Sequence, residues 1–420
     1  MIPVLASAPA WSHTHKSPCN FDFAGKAAPG YTRVAANDFY TDERGYGFEQ
    51  QPQVSQVDRG GKDPFHDGFV TSSKPFFFSV SVPEGNYKVT VTFGDPEGRS
   101  ITTVKAELRR LMLEKVVTAP GHFEARSFIV NVRRPQIPSR ATVKFKPRER
   151  TSEAWAWDDK LTLEFSNSQP KLCALSVEKV NVPTIYIAGD STSTDQAREP
   201  YNSWGQMLTR FFKPDIAIAN NGESGETLRS FVAENRLAKI MSVIQPGDYL
   251  FIQFGHNDQK EKGDVGPFTT YKADLKRFVN EARDHGATPV LITSMNRRSF
   301  DSNGKIANSL DGYPEAVRQL AQEDRVPMID LNAMSKTLYE AVGPETSSKL
   351  FADDDPTHHS DYGSYELAKC IVRGIREAGL PIANNLVNDV PPFDPAHPDP
   401  FDKFDIPPDP DFTNTKPYGN

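Results

Sequence analysis

Ser191, Asp355 and His358 are the residues whose types and spacing can support covalent chemistry. A serine hydroxyl is a weak nucleophile and needs a neighbouring base, for which His358 is the natural candidate. Asp355 lies three residues before it, so one loop can bring its carboxylate to the imidazole, fix the tautomer and stabilise the imidazolium. An oxyanion forming at an attacked carbonyl needs preorganised donors. The backbone N–H groups of Ser191 and Gly225 and the side-chain amide of Asn257 can supply them, and a glycine leaves nothing to block close backbone approach. Two other readings stay open. Ser191 can instead cap a following helix, and His358 and His359 beside Asp353–Asp355 can be a metal site, although no HExxH or third ligand group accompanies them.

The elements that must position these residues are legible as period and polarity. Residues 184–188, 216–219, 249–254, 289–293 and 326–331 are short, apolar and largely unalternating, as parallel strands buried on both faces are. Helical stripes lie between them: Trp204, Met207, Leu208, Phe211 and Phe212, then 228–244, 271–285, 313–323 and 364–378. Strand–helix alternation five times over predicts a doubly wound, three-layer α/β/α domain over residues 182–385. Ligands in such sheets sit beyond the carboxyl ends of the strands. There the chain places Gly189-Asp190-Ser191-Thr192 in a tight turn expected to open a helix, then Asn221-Gly222-Glu223-Ser224-Gly225, Gly255-His256-Asn257-Asp258 and Ser294-Met295-Asn296-Arg297-Arg298. Asp353–His359 comes just before the last helix.

The 420 residues leave room for more than one domain. After an N-terminal segment, 1–19, residues 20–175 alternate with period two at 76–82 and 87–93, and further strand-like runs stand at 127–132, 141–145 and 160–165. This predicts a β-sandwich. Residues 391–420 hold nine prolines and six aspartates, which forbids a regular helix or central strand. Their aromatics are unusual for a free tail, so 386–420 is expected to be an extended strap docked on the body. The net charge of −7 argues against a nucleic-acid partner, and no apolar run approaches the roughly 18 residues of a membrane span. Cys19, Cys173 and Cys370 are too few and too dispersed for a disulfide scaffold, with a Cys19–Cys173 bridge left open. Residues 1–11 lack a basic start and do not read as an intact signal peptide. No GxGxxG or P-loop is present, and the His13-x-His15 pair is weak as a metal motif. No cofactor and no metal are expected.

In order, the GDST, GESG, GHND and DPTH blocks resemble the four blocks of the SGNH (GDSL-type) hydrolases. Within that superfamily the stretch 183–380 is similar to the rhamnogalacturonan acetylesterases, through TIYIAGDST, NSWGQML, NNGESGETLRSF, GDYLFIQFGHND, MNRRSF, DGYPEAVRQLA and DPTHHS. The resemblance implies a flavodoxin-like α/β domain with Ser191 as nucleophile, Gly225 and Asn257 as oxyanion donors and Asp355 and His358 as the remaining pair. It also implies deacetylation of pectic rhamnogalacturonan, with an acetylated pectic polysaccharide or oligosaccharide as partner. Such a polymer in turn implies a secreted or periplasmic location. Glu226 stands where relatives often carry a basic residue. A similar galactose-binding-like sandwich with an FDF…PGYT…GYGF pattern precedes the esterase domain in some relatives.

Substrate contacts are the open part. His256 either orients its loop, touches substrate or is a hydrogen-bonded structural histidine. Arg297 and Arg298 are either solvated charge or a uronate contact, since a guanidinium pairs with carboxylate as a fork. Asp190 suits an acceptor for backbone N–H groups in the nucleophile turn. Tyr40, Tyr46, Phe48 and Phe76–Phe78 are a sugar-stacking platform or sandwich core. Other acetylated glycans such as xylan, small acyl esters, and non-catalytic carbohydrate binding are the alternative functions.

Overall fold

The computed structural model describes residues 19–25, 27–49, 54–61, 63–139 and 141–417. The expectations attached to residues 1–18, including His13 and His15, and to the last three residues lie outside the described residues.

Alternation builds the N-terminal half. In the strand Gly85–Gly94, Tyr87, Val89, Val91 and Phe93 are buried while Lys88, Thr90 and Thr92 are only partly covered. That strand lies between Phe123–Val132 and Lys171–Val180 in a seven-stranded sheet. A five-stranded sheet faces it, with Lys160–Gln169 between Phe76–Ser81 and Ser100–Ala106. Phe21, Phe23, Phe48, Phe76, Phe78, Phe93 and Phe165 fill the space between the two sheets, each burying the area that makes aromatics dominate a core. The aromatics weighed as a sugar platform are therefore largely packing. Phe48, Phe76 and Phe78 are core, Tyr46 lies 4.9 Å from Phe21 and Phe77 packs edge-on against Trp155. Cys173 is in no disulfide, so the Cys19–Cys173 bridge left open by the sequence is not made.

The C-terminal half is a parallel sheet in the order Ala217–Asn220, Thr184–Gly189, Tyr249–Gln253, Thr288–Ile292, Met328–Ile329. In chain order this is 2-1-3-4-5, the flavodoxin-like arrangement, whose switch point lies between the first and third strands. Alternate residues of each strand serve opposite faces. Ile185 and Ile187 pack with the helices Trp204–Leu208, Leu331–Val342 and Asp361–Glu377. Tyr186 and Ala188 pack with Leu228–Ala233, Arg236–Met241, Lys272–Asp284 and Tyr313–Asp324. Among the described residues no helix is long and apolar enough to cross a membrane.

Two expectations fail at one place, where the halves touch. Residues 141–145 form no strand beyond an isolated bridge between Gln136 and Thr142, and 228–244 is two helices instead of one. Asn235 breaks the helix in the left-handed region at φ 64°, a conformation asparagine tolerates better than most residues. Its side-chain amide donates to the Thr142 carbonyl at 3.0 Å. The Lys144 N–H and ammonium take the carbonyls of Glu234 and Ala233 at 2.9 and 2.8 Å. The backbone groups that a ladder or a continuous helix would have satisfied are satisfied across the junction.

The sandwich also reaches the first helix of the α/β half through Gln206 Nε2 on the Leu108 carbonyl (2.7 Å) and Thr209 Oγ1 on that of Leu111 (2.6 Å). Residues 386–417 form no helix beyond the short turn Phe401–Lys403 and no strand beyond isolated bridges, and they contact both halves. Lys105 donates to the Pro407 carbonyl at 3.0 Å, the Tyr362 hydroxyl to that of Asp399 at 2.6 Å, and Ile406 is buried.

Candidate active site

Gly189 ends the first parallel strand, and space requires a glycine there. A Cβ would lie 2.1 Å from Ser193 Oγ and 2.9 Å from the Gln253 carbonyl oxygen. The chain turns at once: the Asp190 carbonyl accepts from the N–H groups of Ser193 and Thr194, both at 3.0 Å. The Asp190 carboxylate takes the N–H and hydroxyl of Thr192 at 3.0 and 2.7 Å. Ser191 sits in this turn with its carbonyl held by Gln196 Nε2 at 2.7 Å. The turn does not open a helix, which corrects the expectation. The next helix starts at Trp204 and is capped by Ser203, whose Oγ accepts from Gly205 and Gln206, so the capping reading of Ser191 falls away.

Ser191 Oγ lies 2.8 Å from His358 Nε2, and His358 Nδ1 lies 2.9 Å from Asp355 Oδ2. All three side chains are buried. The other carboxylate oxygen, Asp355 Oδ1, accepts from the N–H groups of Thr357 and His358 at 2.8 and 3.1 Å. The loop is thus folded around its own carboxylate, which cannot rotate without losing both donors. A hydroxyl, an imidazole and an acceptor-only carboxylate in this chain can pass a proton from serine to histidine while the carboxylate stabilises the resulting imidazolium.

The expected donors stand on adjoining loops. Gly225 has φ +82°, where any other residue would be strained. Among the described residues no acceptor takes the N–H of Gly225 or of Ser191. Asn257 Nδ2 donates one hydrogen to the Glu226 carbonyl at 3.1 Å, which fixes the amide plane and leaves the second hydrogen for a ligand. The first, second and third strands, side by side in the sheet, deliver Ser191, Gly225 and Asn257.

The surroundings are tightly hydrogen-bonded. Burial works to raise the Asp190 carboxyl, but the nearby His256 ring and the Thr192 donors outweigh it and hold it below the usual value. Burial lowers His256, with Asp190 opposing; its Nε2 lies 3.1 Å from the Met295 carbonyl, tying the third loop to the fourth. Arg297 donates to the carbonyls of Ser309 (3.1 Å) and His256 (3.3 Å), and Arg298 to Ser347 Oγ and the Pro344 carbonyl, both at 3.1 Å. Both guanidiniums tether loops. His359 is pushed down to about 3, first by burial and then by the neighbouring histidines. It is neutral and packs against Tyr339, whose hydroxyl is 2.7 Å from its Nε2. Asp258 is pushed up to about 8 by burial and serves the N–H of Leu228 at 2.9 Å.

Sequence reading missed two neighbours. The Tyr201 ring stands edge-on to His358 at 6.0 Å, and Lys260 sits in the field of Asp190, Asp355 and Arg297. Neither belongs to a motif. Tyr201 arrives from the long connection after the nucleophile turn, and its place is set by Arg109 of the sandwich, which donates to its carbonyl at 2.8 Å.

Comparison with known proteins adds to this geometry. Residues 187–364 match the GDSL-like lipase/acylhydrolase family, and residues 19–125 match the galactose-binding-like domain of the β-agarase/YXIM esterase type. Rhamnogalacturonan acetylesterase RhgT of Bacillus subtilis (strain 168) is 43% identical over 219 residues, covering 49% of this chain and 94% of that protein. The probable rhamnogalacturonan acetylesterase YesY of the same organism is 37% identical over 49% of this chain and 98% of its own length. The uncharacterized esterase YxiM, also from that organism, is 28% identical over 86% of this chain and 91% of its own. That similarity spans both halves of the fold.

Proposed function

The chain belongs to the GDSL-like lipase/acylhydrolase family and is a serine ester hydrolase, and from that premise we propose that it removes O-acetyl groups from rhamnogalacturonan by an acyl-enzyme mechanism. The observation that carries the mechanism is the unbroken hydrogen-bond chain from Ser191 Oγ through His358 to Asp355. Ser191 attacks the acetyl carbonyl while His358 Nε2 takes its proton. The oxyanion is received by the N–H groups of Ser191 and Gly225 and by the Asn257 amide. His358 then returns the proton to the departing sugar oxygen, and water activated by the same imidazole releases acetate. These steps need no metal or redox group.

The polymer assignment is supported by the relative named rhamnogalacturonan acetylesterase, which aligns over nearly its whole length. The chain carries −7 overall, so attraction of a uronate-bearing polymer rests on the local cations Lys260 and Arg297 beside the site. A polymeric substrate also favours secretion or a periplasmic location. Acetate release from acetylated rhamnogalacturonan, acetylated xylan and an aryl acetate tests the reading. The pectic polymer is expected to be turned over with the highest kcat/KM. Equal or greater kcat/KM on xylan would replace the polymer while keeping the esterase.

Asn257→Ala is expected to lower kcat by about 10²–10³ with little change in KM, as for other oxyanion donors. Steady-state kinetics on the aryl acetate measure it, and a loss below threefold removes Asn257 from the mechanism.

A further inference from the structure

The second strand's loop is held from outside its own domain. Lys146 and Arg148 belong to the connection between the sandwich strands Phe123–Val132 and Lys160–Gln169, yet both reach the Ser224 carbonyl oxygen, at 2.8 Å from Lys146 Nζ and 2.6 Å from Arg148 Nη2. The same two cations pair with the carboxylates on either side, Lys146 with Glu226 and Arg148 with Glu223. Behind them the buried Arg236 forks onto Glu149 at 2.6 and 3.0 Å. Glu149 also accepts from the Lys146 N–H at 2.8 Å and from Trp157 Nε1 at 2.9 Å. Glu226 is thus the partner of a lysine from the other half, which gives its carboxylate a reason to stand in this block.

The consequence lies in one peptide plane. The Ser224 carbonyl and the Gly225 N–H belong to the same trans amide, so they point in opposite directions and share one resonance system. Two cations on the oxygen fix the plane and draw electron density toward it, which makes the N–H at the far side a stronger donor. The side-chain donor is tied to the same stretch, because Asn257 Nδ2 is oriented by the carbonyl of Glu226. Gln196 completes the frame by donating to the Ser191 carbonyl at 2.7 Å and to Ser224 Oγ at 3.4 Å.

We infer that Lys146 and Arg148 are positioning residues of the oxyanion site, through which the N-terminal half sets the direction and donor strength of the Gly225 N–H. This rests on the reading of Gly225 and Asn257 as the oxyanion donors. Neither cation touches the substrate; both act through the Ser224–Gly225 peptide. The N-terminal half is therefore a working part of the esterase site, whether or not it also binds sugar.

The test is kcat and KM of the full chain on 4-nitrophenyl acetate for Lys146→Met, Arg148→Met, the double variant and Arg148→Lys, with thermal melting to check folding. Ser191→Ala and Asn257→Ala serve as references. Each methionine variant is expected to lower kcat about tenfold and the double variant about 100-fold, approaching the loss of a whole oxyanion donor, with KM within twofold. Both polar contacts of Arg148 to Glu223 and Ser224 come from one nitrogen, so the ammonium of Arg148→Lys is expected to restore kcat to within threefold of wild type. If the double variant does not fold, the single variants carry the decision. A folded methionine variant with kcat within twofold of wild type, a loss carried by KM, or Arg148→Lys as impaired as Arg148→Met would overturn the inference. Retained activity in Ser191→Ala would overturn the proposed site with it. Loss in Ser191→Ala and Asn257→Ala alone would leave the site standing and remove only the role of Lys146 and Arg148.

Discussion

Replacing Ser191 with alanine is expected to lower kcat by about 10⁵–10⁶ on aryl and polymeric acetates alike, the scale seen when a serine nucleophile is removed from an intact hydrolase site. The substitution deletes one oxygen whose hydrogen-bond partner is His358 Nε2 at 2.8 Å. The backbone that shapes the turn is untouched: Gly189 keeps its close approach to Ser193, and the Asp190 carbonyl keeps its two N–H donors. The variant should therefore melt within a few degrees of the parent. It loses the nucleophile that forms the acetyl-enzyme, while the oxyanion donors survive. Residual turnover by directly activated water sets the floor, so removing His358 in addition should cost little more. Acetate release and thermal melting measured together check this. A folded Ser191→Ala protein retaining more than about one per cent of the parent rate would exclude a serine-based acyl-enzyme.

Much of this site was legible in the sequence because its residues sit at topologically fixed places. Each of the first three parallel strands is a short apolar run, and in a doubly wound sheet the residues just beyond such a run lie at the ligand-binding edge. Strand ends made Ser191, Gly225 and Asn257 candidates, spacing before the last helix did the same for Asp355 and His358, and the resemblance of the four blocks to a known family gave each its expected role. The parts that were misread or missed depend on partners distant in sequence. Residues 141–145 have the composition of a strand, yet their donors meet the Glu234 and Ala233 carbonyls of a helix end. Asn235 lies in a run with unbroken helical periodicity, and only its contact to Thr142 shows why the helix stops there. Tyr201 is placed by Arg109 from 92 residues upstream, and Glu226 finds Lys146 from 80 upstream. Periodicity reports which face of an element is buried, and it carries no information about which loop of another domain will satisfy a carbonyl. Arg297 and Arg298 show the same limit: their place at a strand end is legible, but not that the carbonyls of Ser309, His256 and Pro344 lie around the pair.

Asp355→Asn is expected to lower kcat by about 10⁴ while leaving the fold and KM nearly unchanged, and the reason is the arrangement of donors around this carboxylate. Oδ1 accepts two backbone N–H groups, those of Thr357 and His358. In the variant the amide oxygen must stay at that position, because an NH₂ group there would face two donors. The amide nitrogen is thereby forced into the place of Oδ2, 2.9 Å from His358 Nδ1. It donates where the carboxylate accepted, so Nδ1 must become the unprotonated nitrogen and the ring proton moves to Nε2. Nε2 then presents a hydrogen to Ser191 Oγ and cannot take one from it. The imidazolium also loses its counter-charge. A protein in which geometry is preserved and the tautomer reversed separates this explanation from simple loss of packing. Nitrogen-15 shifts of the His358 ring should exchange their assignments between Nδ1 and Nε2 as kcat falls. A loss smaller than about tenfold, or an unchanged ring tautomer, would show that Asp355 does not hold His358 in its working form.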